Sequence, residues 1–225
     1  MQLPVQWRII TPDLPGYGTN EIYDLPEGID AVAESLATSI PHDAVLIGWS
    51  LGGMVAIEIA RQMGGDIDTL ILLASTPCFI KKVDWPYGIA PGQIRTMAEQ
   101  LPGNTQKVLK KFTALSAKGD AFPRRTIRKL RRSAAYGAAS TGALISGLDI
   151  LQDTDLRSAM VELKCRVVML LGEYDNLIAK GTGPATQVLC PNMKIAYINT
   201  GHAPFISQGK LTADMLSQHI LAQGQ

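Results

Sequence analysis

AVLIGWSLGG, residues 44–53, is the stretch from which the fold can be read. Its first five residues are apolar or glycine, with no polar alternation. Such a run is a strand buried on both faces, as in a parallel sheet covered by helices. Residues 51–63 then carry helical spacing. Between the two lies Gly48-Trp49-Ser50-Leu51-Gly52, a G-x-S-x-G pattern in a strand-to-helix turn. That turn is tight, so the serine backbone is strained and its Oγ projects from the sheet edge. Glycines at 48 and 52 avoid clashes with the neighbouring strand and helix. The helix start brings partial positive charge to the turn. The Leu51 N–H is placed to donate to a developing oxyanion. Ser50 is the candidate nucleophile.

Working outward, the same rhythm repeats. Residues 69–74 (TLILLA), 167–171 (VVMLL) and 193–198 (MKIAYI) read as further buried strands. Residues 6–11 read as a first strand ending in the Pro/Gly-punctuated turn PDLPGYG, residues 12–18. Helical spacing covers 29–38 and 211–222. Buried strands alternating with helices indicate an α/β architecture with a mostly parallel sheet flanked by helices.

A serine needs a base. The chain has three histidines, His42, His202 and His219. His42 precedes the strand at 44, on the side away from Ser50, and His219 lies within the last helix. Both read as surface or capping residues. His202 directly follows the last strand, in NTGHAPF, residues 199–205. Loops leaving the carboxyl edge of a parallel sheet are where active sites of open α/β folds gather. His202 is therefore the candidate general base. The base needs an acid to hold its tautomer. Asp175, just after the strand at 167, supplies one and gives the chain order Ser, Asp, His. Glu173 is the near competitor. Asp149, Asp153 and Asp155 read as helix ends or surface.

Composition narrows the class. The 225 residues carry 21 Lys+Arg and 20 Asp+Glu, a formal net charge of +1. With 46% hydrophobic residues the chain can bury a sizeable core, and it is not a disordered composition. Near-neutrality argues against a surface basic throughout, but it is a cancellation. Residues 81–133 hold 13 Lys+Arg against 3 Asp+Glu. Cys78, Cys165 and Cys190 have no metal-ligand spacing and form no disulfide framework, so each reads as a small buried hydrophobe. No basic-then-apolar leader opens the sequence, and no apolar run is long enough for a membrane span. A cytoplasmic protein without metal or organic cofactor is expected.

Between the strands at 69 and 167 no strand-like run occurs, a gap far too long for one crossover helix. The expected division is a core over 1–80, a helical cap over 81–155, and the rest of the core over 156–225. With Ser50, Asp175 and His202 placed, the chain resembles an α/β-hydrolase. LIGWSLGGMVA (46–56), LLASTPCF (72–79), Asp84-Trp85-Pro86, Phe112-Thr113-Ala114-Leu115 and GHAPFIS (201–207) together resemble the carboxylesterases of biotin synthesis that act on pimeloyl-carrier-protein methyl esters. The resemblance implies an ester entering between core and cap, with Phe112 and Leu115 along the acyl channel and Trp49 and Leu51 beside the nucleophile. It implies an acyl carrier protein bearing a pimeloyl methyl ester as partner, docked on Lys107, Lys111, Arg124 and Arg128. Arg125, Arg131 and Arg132 lie nearby. Positions 107 and 111 carry lysine where the family tends to have arginine, so they offer point charges and not bidentate forks. Small esters are further expected substrates. Nucleic acid is not an expected partner, since no aromatic residues are interleaved with the basic ones.

One departure accompanies the resemblance. The family begins with a β-hairpin and a strand ending in a His-Gly-Trp-type loop, which supplies a second oxyanion N–H. No matching segment is present. Residues 6–11 align with the family's fourth strand, so the N-terminal strands are expected to be missing. Either Met1 is an internal methionine of a longer natural chain, or the protein is shortened with a rebuilt site. The rival functions are a general short-acyl carboxylesterase and a catalytically impaired carrier-binding remnant.

Overall fold

The computed structural model describes residues 7–20, 27–134 and 139–221, apart from the side chains of 133 and 134. Four strands form one sheet: β1 (Ala44–Trp49), β2 (Ile67–Leu73), β3 (Arg166–Gly172) and β4 (Lys194–Ile198). They lie in the order β1-β2-β3-β4, every pair parallel. A one-residue shift separates the Ala44–Ile67 and Val45–Thr69 pairings, after which the register runs evenly to Trp49–Leu73.

The two central strands are apolar from Leu70 to Leu73 and from Val167 to Leu171 because both faces are covered. β1, expected to be buried on both faces, lies at the sheet's end among the described residues and is only partly covered. Leu70, Leu72, Met169 and Leu171 point into the larger core, formed with α1 (Ile29–Ala37) and α2 (Leu51–Met63). Ile71, Leu73, Val168 and Leu170 point the other way. There they meet Leu216 and Ile220 of α9 (Gly209–Leu221). This is the strict two-residue alternation of a pleated strand. α2 is buried along most of its length, including Met54, Val55, Ile57 and Ala60. Its one buried charge, Glu58, takes a bidentate pair from Arg61.

The expected strand over 6–11 does not form among its described residues, Trp7 to Thr11, which join no ladder. Gln6 lies outside the described residues. β1 ends the sheet on this side among the described residues. Without a neighbouring strand to take up ladder hydrogen bonds, the segment is held through side chains instead. Trp7 packs with Val45, Trp49 and Phe205 against the second core. Ile9 and Ile10 are exposed, and so is Ile47 on β1, at 41%. The following turn is ordered by Asp13, whose carboxylate accepts from the Thr19 N–H and hydroxyl.

Between β2 and β3 runs a helical insertion. It comprises α3 (Gln93–Ala117), α4 (Pro123–Ala134) and α5 (Thr141–Asp153). α3 is two helical segments joined at Pro102–Asn104, where Pro102 cannot continue the hydrogen-bond ladder and Gly103 takes φ 77°. Gly103 tolerates that left-handed turn because it has no Cβ. α5 starts on Ser140, whose hydroxyl accepts from the Ala143 N–H. Tyr17 ties the N-terminal turn to α5 by donating to the Ala143 carbonyl at 3.0 Å. The insertion is followed by α6 (Arg157–Glu162), while α7 (Thr182–Leu189) connects β3 to β4 and the single turn α8 (Pro204–Ser207) precedes α9.

Candidate active site

Ser50, Asp175 and His202 each lie just past the end of a strand. β1 ends at Trp49 and α2 begins at Leu51, so Ser50 must reverse the chain alone. It does so at φ 53°, ψ −120°, a backbone that side-chain-bearing residues seldom adopt. The surroundings hold it there. The Ser50 amide donates to the Leu73 carbonyl, and the Ser75 hydroxyl donates to the Ser50 carbonyl at 2.7 Å. A Cβ on Gly48 would overlap the Gly52 carbonyl, and one on Gly53 would overlap Ser75. Gly48 and Gly53 let strand, turn and helix close to this spacing, whereas Gly52, expected to relieve a clash, has open space where a Cβ would stand.

β3 ends at Gly172, and the turn after it presents Asp175. Its Oδ1 accepts from the amides of Leu177 and Ile178 at 2.7 and 3.1 Å. Its Oδ2 lies 2.8 Å from His202 Nδ1. Because a carboxylate only accepts, Nδ1 carries the proton and Nε2 is left as acceptor. His202 Nε2 is 3.0 Å from Ser50 Oγ. Both side chains of the His–Asp pair are fully buried, and Ser50 is 7% exposed. The line Ser50–His202–Asp175 is a continuous hydrogen-bonded relay. It can lower the cost of deprotonating the serine as it attacks.

Glu173, the competing acid, turns away to pair with Lys180 at 2.9 Å. His42 is a surface residue beside Asp66, and His219 sits on α9, where burial and then Lys194 and Arg166 push its pKa down. Asp155, expected as a helix end or surface group, is instead the hub of a pair network with Lys82 and Arg157. Leu51 is the first residue of α2, so its N–H has no intrahelical acceptor and is free to donate. Among the described residues, no group of His, Cys, Asp or Glu is arranged to hold a metal ion.

Beneath the helical insertion, beside Asp175, is a cavity of about 270 Å³. Phe112 and Leu115 of α3 line it, with Phe79, Ile89, Met97, Leu148 and Leu151. It is a mostly apolar chamber, with Tyr87, Gln93 and Asn176 as neutral polar groups in its lining. Trp49 is not part of that lining. Its indole N–H donates to the His202 carbonyl at 2.7 Å, and its ring packs on Phe205 in the second core. Trp49 thus holds the histidine loop and does not wall the chamber. Leu51 is not in the lining either; its side chain packs with the larger core and faces Gly147. Tyr17, which faces Gly147 beside Leu51, is buried enough that its phenol pKa is pushed up to about 12. It remains a donor at neutral pH.

Lys107, Lys111, Arg124 and Arg128 are all exposed. None is ion-paired among the described residues. Arg124 and Arg128 border a shallow hollow on α4 with Ile127, Arg131 and Arg132. Two contributors to the site had no sequence signal. Asp120 follows a helix in a Lys-Gly-Asp turn and reads as a turn residue, yet its carboxylate accepts the Gly201 N–H at 2.7 Å. The tether from Trp49 to His202 spans 153 residues and is equally silent in the sequence.

The alpha/beta hydrolase family model matches residues 3–215. Relatives named pimeloyl-[acyl-carrier protein] methyl ester esterase match over most of the chain. That of Pseudoalteromonas atlantica is 37% identical over 210 residues, 92% of this chain and 81% of the relative. Those of Xylella fastidiosa and Nitrosomonas europaea are each 33% identical, over 98% and 91% of this chain and 87% and 82% of theirs. Among solved structures, an esterase from Exiguobacterium antarcticum superposes with TM-score 0.80 over 92% of this chain and 79% of its own, at 20% identity. A thermophilic esterase from Thermogutta terrifontis gives 0.78 over 94% and 78%, also at 20% identity. A buried serine-to-acid relay on a parallel sheet, a family model spanning nearly the whole chain and relatives above 30% identity agree: the chain belongs to the alpha/beta hydrolase family.

Proposed function

We propose that the protein is a serine carboxylesterase that hydrolyses the methyl ester of a pimeloyl chain carried on acyl carrier protein. The observation that carries this reading is the Ser50–His202–Asp175 relay set beside an apolar chamber. The reaction class follows from the relay and the substrate from the relatives' names. Ser50 Oγ attacks the ester carbonyl as His202 Nε2 takes its proton. The Leu51 N–H donates to the oxyanion. His202 returns the proton to the departing methanol. A water, deprotonated by His202, then attacks the acyl-enzyme; the acyl–Oγ bond breaks, His202 returns the proton to Ser50 Oγ, and the ω-carboxylate is freed. Asp175 holds the imidazole tautomer and stabilises its charged form.

The chamber suits the methylene chain, whose desolvation favours binding by about 0.8 kcal/mol per buried CH₂. In this reading the helical insertion is a cap over the chamber. Lys107, Lys111, Arg124 and Arg128 receive the carrier protein, which is acidic and bears a phosphopantetheine arm. Opposite charge speeds encounter and fixes orientation. The three free thiols suit a reducing, cytoplasmic setting. Among the described residues no helix is long and apolar enough to cross a membrane.

The test is hydrolysis of pimeloyl-carrier-protein methyl ester followed by mass spectrometry, beside a p-nitrophenyl ester. Ser50→Ala should abolish both activities and labelling by a fluorophosphonate. Neutralising Lys107, Lys111, Arg124 and Arg128 together should lower kcat/KM for the carrier ester by at least about 10-fold and spare the small ester. Equal losses on both substrates would remove the docking assignment and leave a general esterase. Carrier binding without Ser50-dependent turnover would leave a binding remnant.

A further inference from the structure

The histidine loop is gripped from outside the relay. The His202 amide donates to the Ser116 carbonyl at 3.1 Å. One residue earlier, the Gly201 amide donates to Asp120 Oδ1 at 2.7 Å. Ser116 and Asp120 belong to the end of α3 and the turn that follows it, within the helical insertion. The same turn reaches the acid loop. Asn176 Nδ2 donates to the Lys118 carbonyl at 3.3 Å, and Gly119 is seated against the Tyr174 backbone. One turn, residues 116–120, therefore holds both the loop of the base and the loop of the acid.

The fit is close. A Cβ on Gly201 would stand 2.6 Å from the Lys118 carbonyl oxygen and 3.2 Å from that of Ser116. Asp120 is 8% exposed, and its Oδ2 is buried with no hydrogen-bond partner among the described residues. A buried carboxyl with one idle oxygen is a costly way to fasten two surface segments. Its one strong bond, to the Gly201 amide, falls on the residue that sets the direction in which His202 leaves the loop.

We propose that Asp120 is a positioning residue for the base. Its Oδ1 fixes the Gly201 amide, and thereby holds His202 Nε2 within reach of Ser50 Oγ. Through this bond the helical insertion, and not the sheet alone, sets the alignment of the relay. The assignment rests on His202 being the general base. A displacement of the order of 1 Å at a reacting group costs roughly 10²-fold in rate. Binding of a small ester in the chamber does not use the bond.

Asp120→Ala, Asp120→Asn and Gly201→Ala are compared with the unmodified protein on a p-nitrophenyl ester, which needs no carrier docking. Folded fraction is followed by circular dichroism. Asp120→Ala should lower kcat by at least about 10-fold with KM within about twofold. Asn at position 120 keeps an acceptor for the Gly201 amide, so Asp120→Asn should recover kcat to within about threefold of the unmodified protein. Gly201→Ala, which pushes the same seam apart from the other side, should also lower kcat. The rate of fluorophosphonate labelling at Ser50 should fall in step with kcat. The proposal is overturned if Asp120→Ala leaves kcat unchanged, if its loss only tracks loss of folded protein, if KM rises while kcat holds, or if Asn is as damaging as Ala. Failure of the parent reading looks different: His202→Ala would then retain full activity whatever position 120 carries.

Discussion

Ser50 is asked to do two things that conflict. As the proposed nucleophile it must project from a sharp turn, and as a residue with a Cβ it resists the backbone that turn requires. At φ 53°, ψ −120° the conflict is settled in favour of function. A non-glycine residue in such a region costs on the order of 1–3 kcal/mol. Two inactive variants separate the strain from the chemistry. Ser50→Ala removes the hydroxyl and keeps the strain, whereas Ser50→Gly removes both. The glycine variant should be the more stable of the pair by about 1 kcal/mol, even after the extra freedom glycine gives the unfolded chain. Urea titration of the two proteins reads this directly, and a glycine variant with the lower midpoint would mean that the turn is unstrained. The three residues of the hydrogen-bonded relay, candidate nucleophile, base and acid, are legible because each sits at a strand end with a turn signature: GWSLG, NTGH and GEYD. Glu173 was excluded only by the structure, which pairs it with Lys180. Asp120 was not legible, since its meaning lies in a contact 81 residues away and no local pattern encodes it.

Among the elements, the strands buried on both faces were the easiest to read, because a continuous apolar run admits few other uses. The segment before the first turn was the hardest. Residues 7–11 have strand-like composition, but a strand exists only where a neighbour supplies its ladder, and β1 supplies none. α7 and the single turn α8 carry too few apolar residues to show a period in the sequence. The two ends of the helical insertion are closed by a clasp whose parts are also far apart in sequence. The Leu156 amide donates to the Pro77 carbonyl, and Cys78 bridges Asp155. Asp155 binds Lys82 at 2.7 Å and Arg157 at 2.8 Å, and Arg157 reaches on to Asp84. Burial pushes the Asp155 carboxyl up, but hydrogen bonds from Arg157 and Lys82 outweigh it and hold the group well below the usual carboxylate range. A depressed folded pKa adds stability that is fully present above the unfolded value, near 3.9, and is lost as pH falls further. Asp155→Asn should therefore destabilise the protein by about 1–3 kcal/mol at pH 7. The gap between variant and unmodified protein should narrow below about pH 4. A gap that stays constant from pH 7 to pH 3 would show that the carboxylate's charge contributes nothing to the clasp.

For the molecule as a whole, the net charge of +1 conceals a segregation that the fold makes spatial. Residues 81–133 carry 13 basic against 3 acidic side chains, most of the basic ones on α3 and α4. The remainder is acidic, and it carries the sheet and the relay. α4 alone presents Arg124, Arg125, Arg128, Lys129, Arg131 and Arg132, and no acidic residue. Such a field acts over roughly 10 Å at 0.1 M salt and only about 3 Å at 1 M. It can therefore steer an acidic macromolecule but is of little consequence to a small neutral ester that diffuses into the chamber. Raising the salt should separate the two substrates without any mutation. From low salt to about 0.5 M, kcat/KM for the carrier-borne ester should fall by roughly 10-fold or more, with most of the loss in KM. Over the same range the p-nitrophenyl ester should change by less than about twofold, because the relay is buried from the ions. In the variant lacking charge at 107, 111, 124 and 128, the salt dependence of the carrier ester should flatten toward that of the small one. If the two substrates instead lose rate in parallel, salt is acting on the relay or the fold, and the basic face has no part in bringing the substrate to Ser50.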